Sequence, residues 1–286
     1  MGDRGGEQGF AARVAAAVAA TGPLCAGVDP SADLLAAWDL ADDGAGVRRF
    51  GLRCVEAFAG VVPVIKPQVA FFERHGSGGV AALEAVLAEA RTVGLLVLAD
   101  AKRGDVGTTM EAYADTWLDP GSPLRADAVT ASPYLGLGSI QPMIDLAGAH
   151  GRGVMVVARS SNPEGRRLQT ALVDEGRGPS VEDMMLADIA ILNGGARVPP
   201  GTVGAVIGAT LAPSAFRLAD LGGVILAPGL GAQGGTKAQV AALFAGCPVG
   251  SVLPSSSRTL LANGPDVKAL ASAAHATRDA MAEALA

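Results

Sequence analysis

The sequence predicts an α/β fold, a single-domain (β/α)8 TIM barrel. Three observations predict it. Eight apolar, β-branched runs recur along 286 residues, most are separated by segments with helical spacing, and polar residues cluster just after the runs. Near-continuous apolar strands alternating with helices indicate a parallel sheet covered by helices. Eight such units fit a closed barrel of roughly 250 residues.

The first run, LCAGVD (24–29), ends at Asp29 before Pro30, and VVPVIKPQ (61–68) follows with Lys66 near its end. The segment GVAALEAVLAEARTVG (79–94) has helical spacing and leads into LLVLADAK (95–102). The runs AVTASPY (128–134) and GVMVVARSS (153–161) come next, and VGAVIGAT (203–210) follows them. After VILAPGLG (224–231), TKAQVAALFAG (236–246) reads as a helix leading to PVGSVLPSSSR (248–258). The polar loop DEGRGPSVED (174–183) is expected as a surface elaboration within the fifth unit. Residues 1–8, polar and glycine-rich, are expected to be a flexible terminus, with residues 9–286 forming the barrel. In a barrel, Asp29, Lys66, Asp100, Lys102, Ser160, Ser161, Gln233 and Arg258 converge on one mouth. In a doubly wound open sheet they would spread along an edge.

Composition narrows the function. Half of the residues are hydrophobic, which excludes a disordered chain. Uncharged stretches at 198–216 and 238–257 are broken by Pro199, Pro200, Pro213, Pro248 and Pro254, so no membrane span is expected. The formal charge of −6 and the absence of a basic block argue against nucleic acid as a partner. Cys25, Cys54 and Cys247 are far apart and odd in number, as in a reducing cytosol, and the expected location is cytoplasmic. His75, His150 and His275 show no metal-ligand spacing, so no metal is expected. Ser160 and Ser161 have no histidine at a matching strand end, which disfavours serine-hydrolase chemistry.

The densest chemical signal is LADAKRGDVGTT (98–109). Asp100 and Lys102 are two apart on a strand and face the same way, while Ala99 and Ala101 face the helices. Asp105 follows in the turn. A lysine between two carboxylates stays protonated, which suits proton donation or stabilisation of developing negative charge. For an arbitrary DxKxxD the plain alternative is a surface ion-pair cluster. An apolar strand instead turns these groups inward, where a charged pair without a function is costly. Lys66, on the neighbouring strand, extends the series to Lys–Asp–Lys–Asp. Asp29 is read equally as a site residue or as a turn former.

The run PGLGAQGG (228–235) contains Gly229-x-Gly231-x-x-Gly234, a literal dinucleotide fingerprint. It falls at the seventh strand rather than the first, and the next strand carries no ribose-binding acid. Arg258 leaves an NADP reading open. The preferred reading is a phosphate site formed by the loops after strands seven and eight. Backbone amides near Gly234, the amide of Gln233 and the guanidinium of Arg258 supply its donors.

Taken together, DAKRGDVGTT, LCAGVDPS, VIKPQVAFFE, ARSSNPEG, PGLGAQGG and SSSR resemble, in order and over nearly the whole chain, orotidine 5′-phosphate decarboxylase. LCAGVDPSADLLAAWDL and SNPEG are similar to its longer bacterial, mycobacterial-type group. The resemblance implies cofactor-independent conversion of orotidine 5′-monophosphate to UMP and CO2, with Lys102 protonating C6 and Asp100 near the substrate carboxylate. It implies a homodimer in which Asp105 and Thr109 come from the partner subunit. Lys66 and Asp29 would contact the ribose, Ser161 the pyrimidine ring, and Gln233, Gly234 and Arg258 the phosphate. Members of the group often carry Thr-Ser-Asn where this chain has Ser160-Ser161-Asn162, which keeps a hydroxyl at both positions. The alternatives are a metal-dependent hexulose-phosphate synthase-like aldolase, which carries an acid where this chain has Lys66, and a non-catalytic UMP-binding barrel.

Overall fold

The computed structural model describes residues 8–230 and 236–286. Eight parallel strands close into a barrel in sequence order, with β8 pairing back onto β1. They are β1 Cys25–Val28, β2 Val64–Pro67, β3 Leu96–Arg103, β4 Ala128–Ala131, β5 Gly153–Arg159, β6 Val203–Ile207, β7 Ile225–Pro228 and β8 Val252–Ser256. Each lies within the apolar run expected for it, except that β3 continues one residue further, to Arg103. The ends of the runs that do not pair are the polar loops of the barrel mouth.

Helices surround the sheet. They are α1 Phe10–Thr21, α2 Ala32–Ala37, α3 Gly44–Phe58, α4 Val69–Glu73, α5 Gly76–Thr92 and α6 Gly107–Leu118, followed by α7 Gln141–Ala149 and α8 Pro163–Gln169. The last four are α9 Val181–Gly194, α10 Lys237–Leu243, α11 Arg258–Leu261 and α12 Val267–Leu285. Side chains that accept from free backbone N–H groups define several starts. Asp43 accepts from Gly46 at the start of α3, Asp266 from Ala269 at α12, and Thr236 forms a capping box with Gln239 at α10. Among the described residues no helix is long and apolar enough to cross a membrane.

Strand alternation divides the apolar side chains into two cores. Residues such as Ala99, Val129 and Ile65 pack outward against the helices. Cys25, Val64, Leu98, Ala128, Met155, Leu226 and Leu253 fill the barrel interior. Helix α1 completes that interior core with Phe10, Val14 and Val18, one apolar face at four-residue spacing. A Cβ on Gly153, the first residue of β5, would lie 2.3 Å from the Phe10 ring, so Phe10 closes the N-terminal end of the barrel. Arg13 on the same helix bonds Asp127 at 2.5 Å, just before β4. The polar mouth is therefore at the opposite, C-terminal end.

Truncating this plug tests the assignment. Phe10→Ala is expected to lower stability by about 3–5 kcal/mol through lost burial and a residual cavity. Urea unfolding measures it, and an unchanged midpoint would contradict the plug.

Candidate active site

The C-terminal ends of the strands surround a cavity of about 580 Å³. Asp29 from β1, Lys66 from β2, Asp100 and Lys102 from β3, Ser161 after β5 and Arg258 after β8 all line it. The sheet thus brings six of the expected site residues to one place.

Asp100 is the centre of the polar network. Its Oδ2 accepts from Lys66 Nζ at 2.9 Å and Gln68 Nε2 at 3.0 Å. Its Oδ1 accepts from Lys102 Nζ at 2.5 Å and the Thr130 hydroxyl at 3.0 Å. Four donors from three strand ends saturate one carboxylate. Lys66 and Asp100 are 5% and 7% exposed, whereas the Lys102 side chain is 49% exposed and faces the cavity. Lys66 therefore neutralises Asp100 from within, and Lys102 presents its ammonium to whatever enters.

Burial alone would raise the Asp100 pKa, but the charges and hydrogen bonds of Lys66 and Lys102 outweigh it and hold the carboxyl well below its usual range. Burial pulls the Lys66 ammonium down. Asp100, Asp29 and Cys25 act against it, and the net shift is upward. The buried Cys25 thiol beneath them is pushed up to about 12, chiefly by desolvation, and so stays neutral.

The backbone at Lys102 is unusual. Its φ is +48°, the left-handed region that a side chain bearing a Cβ occupies at a cost of about 1–3 kcal/mol. The β3–β4 register shifts between Ala99 and Arg103, and the Lys102 N–H donates to the Thr130 hydroxyl at 2.9 Å. Plain strand alternation put Asp100 and Lys102 side by side correctly. The structure does it through a bulge, which leaves Asp100 inside while Lys102 rises into the mouth.

The expected four-member series is shorter within one chain. Among the described residues Lys102 forms an ion pair with Asp100 alone. Asp105 is half-buried and its Oδ1 accepts from the Val106 N–H at 2.8 Å, while Thr109 is exposed on α6. The reading of Lys102 between two carboxylates of its own chain is therefore corrected. The turn that follows the bulge carries Asp105 away from the strand end.

Asp29 is more than a turn former. Its Oδ2 accepts from the Ser257 hydroxyl, while its Oδ1 is buried without a protein partner among the described residues. Arg258, the first residue of α11, is exposed at the cavity edge. Gln233 and Gly234 lie outside the described residues, as does Gly231 of the fingerprint. Gly229, with φ +114°, lines the cavity.

Three contributors were missed in the sequence. Gln68 is two residues past Lys66 and so shares its face, a signal that was available. Thr130 is the one hydroxyl within strand β4. Arg159 is 5% exposed, lies 3.1 Å from Glu182 of α9 and donates to the Ala212 carbonyl at 2.9 Å. Its partners are 23 and 53 residues away, beyond the reach of local pattern.

A model of the "Orotidine 5'-phosphate decarboxylase / HUMPS family" matches residues 22–273. The chain belongs to this family. Orotidine 5′-phosphate decarboxylases of Salinispora tropica and Streptomyces coelicolor are each 51% identical to it, over 267 and 265 residues. The matches cover 93% of this chain and 95% and 94% of theirs. The crystal structure of a Streptomyces avermitilis protein assigned to the orotidine 5′-phosphate decarboxylases superposes with a TM-score of 0.92 at 48% identity, covering 100% of this chain and 99% of that one. The Leishmania donovani OMP decarboxylase structure gives 0.73 at 27% identity, covering 96% and 99%. In this family member the barrel, the C-terminal mouth and the charged network at β2 and β3 form one unit.

The network has a defined pH dependence. Asp100 has a depressed pKa in the folded state, so its contribution is complete above the ordinary carboxylate value of about 3.9 and is lost as pH falls towards the folded value. Lys66 has a raised pKa, so its contribution is complete below about 10.4 and is lost as pH rises through the folded value. Asp100→Ala leaves Lys66 buried without its carboxylate and is expected to cost about 3–5 kcal/mol at pH 7. Urea midpoints should show that deficit narrowing below about pH 4, where the wild type begins to lose the same contribution. A deficit independent of pH from 3 to 7 would contradict the ion-pair assignment.

Proposed function

We propose that this chain converts orotidine 5′-monophosphate to UMP and CO2 in pyrimidine biosynthesis, with no cofactor. The observation that carries this reading is the Lys66–Asp100–Lys102 network, in which a half-exposed ammonium is held 2.5 Å from a buried, ionised carboxylate. The kinship with decarboxylases at 51% identity supports it.

In this mechanism the bond from C6 to the substrate carboxylate breaks and its electron pair stays on C6 as CO2 leaves. The Lys102 ammonium stands where that charge develops, stabilises it more than the ground state, and donates the proton that makes UMP. Lys102 then regains a proton from solvent. Asp100 lies beside the departing carboxylate, and its four donors keep it fixed there. Lys66 and Asp29, whose buried Oδ1 offers an acceptor, contact the ribose hydroxyls. Ser161 reads the ring, while Gln233, Gly234 and Arg258 hold the phosphate. Binding at the phosphate end helps to order loops and exclude water from around Lys102, which strengthens the electrostatics there.

The working unit in this reading is a cytoplasmic homodimer. Asp105, half-buried in its own chain, and the exposed Thr109 reach the partner's site, and Asp105 becomes the second carboxylate beside Lys102. Residues 9–286 form the catalytic unit. Lys66 occupies the place where a metal-binding aldolase of the same barrel group needs an acid.

The direct test is ultraviolet loss of orotidine 5′-monophosphate with purified protein, with and without EDTA. Rapid, EDTA-resistant formation of UMP is expected, and tight UMP binding without turnover would leave a nucleotide-binding barrel instead. Lys102→Ala should abolish turnover in a folded protein, and near-normal turnover would overturn the proton-donor role. Arg258→Ala should weaken substrate binding by about 1.5–3 kcal/mol, as for a hydrogen bond to a charged group, read in KM. An unchanged KM removes Arg258 from the phosphate site. Mixed dimers of Asp105→Ala and Lys102→Ala subunits should recover activity, and inactive verified heterodimers would contradict shared sites.

A further inference from the structure

Helix α8, Pro163–Gln169, has no buried residue, and its Leu168 is 52% exposed. Apolar packing does not explain why it lies beside the mouth. A paired contact at its last residue does. Gln169 Oε1 accepts from the Ser160 N–H at 2.9 Å, and Gln169 Nε2 donates to the Ser160 hydroxyl at 2.7 Å. One amide thus grips both the backbone and the side chain of Ser160, the residue before Ser161. The grip is packed tightly, because a Cβ on Gly165 would lie 2.8 Å from Ser160 Oγ and 2.9 Å from Gln169 Nε2.

The rest of the segment is held from other sides. Arg159, immediately before Ser160, is pinned by Glu182 and the Ala212 carbonyl. Gly208 backs Ser161 so closely that a Cβ there would lie 3.0 Å from Ser161 Cβ and 3.1 Å from its N. Arg159 and Gly208 fix the inner side, and Gln169 is the clamp on the outer, solvent side. Gln169 does not line the cavity, whereas Ser160 and Ser161 do.

We propose that Gln169 is a positioning residue for recognition of the base: through Ser160 it sets where Ser161 stands against the pyrimidine end of the substrate. The inference rests on the decarboxylase reading, in which Ser161 meets the ring. It also gives the Ser160 hydroxyl a defined task, as the acceptor for the Gln169 amide.

The test uses the whole chain; no residue of α8 is fully buried, so Gln169→Ala is expected to leave the fold intact, which an unchanged urea midpoint checks. Losing two neutral hydrogen bonds to one residue corresponds to a loss of about tenfold or more. Gln169→Ala is expected to lower kcat/KM for orotidine 5′-monophosphate about tenfold and to weaken UMP binding to match, while ribose 5-phosphate, which lacks the base, binds as before. Gln169→Glu, whose two oxygens accept from the Ser160 N–H and hydroxyl, should recover most of the loss. In a Ser161→Ala background, Gln169→Ala should add less than twofold.

Equal weakening of ribose 5-phosphate and UMP would overturn the role in base recognition. A further tenfold loss in the Ser161→Ala background would overturn action through Ser161. A wild type that turns over substrate with an unaffected Gln169→Ala overturns this inference alone. A wild type with no turnover overturns the decarboxylase reading and this inference with it.

Discussion

The structure of the site depends on one carboxylate, Asp100, which accepts four hydrogen bonds at the end of β3. A 7%-exposed anion is tolerable only if cations and donors reach it from several directions. Parallel strand ends that converge on one mouth supply them. Lys66 and Gln68 come from β2, Thr130 from β4 and Lys102 from β3 itself. In an open sheet a donor set from both flanking strands is still possible, but closure also brings β1, β5 and β8 to the same cavity.

That carboxylate explains the local strain. Asp100 must face inward and Lys102 must reach its far oxygen while presenting an ammonium to the cavity. Regular alternation would stack both in the same layer direction. The bulge and the positive φ at Lys102 separate their heights, and the Thr130 hydroxyl serves both residues, donating to Asp100 and accepting from the Lys102 N–H. The strain at Lys102 is therefore offset by a hydrogen bond at the same residue. Beneath this layer, the apolar interior and the α1 plug keep water from the other end of the barrel, so the charges face an apolar floor.

Much of this was legible in sequence because it is local. Strand runs bury both faces and therefore read as continuous apolar segments, which is why all eight were found. Lys66, Asp100 and Lys102 stand out as charges in such runs. The α1 plug was not read, since Phe10, Val14 and Val18 form an apolar face whose partner is the barrel floor, known only once the sheet closes. The bulge at Lys102 escaped for a similar reason: it depends on register with β4. Arg159–Glu182 and Gln169–Ser160 involve the fifth-unit excursion, whose path back to the barrel mouth has no periodic signature. Asp105 and Thr109 stand apart from the strand-end cluster of their own chain, because motif spacing does not reveal the turn that follows the bulge.

The central claim is that Asp100 is held ionised by its donors and thereby fixes Lys102. The most direct measurement is a carbon-13 NMR titration of the Asp100 carboxyl in the intact protein, with Asp100→Asn to assign the resonance. The account predicts that this carboxyl stays ionised well below the ordinary value of about 3.9 for as long as the protein remains folded. A carboxyl that titrates at or above that value would contradict the network as the organising interaction of the site.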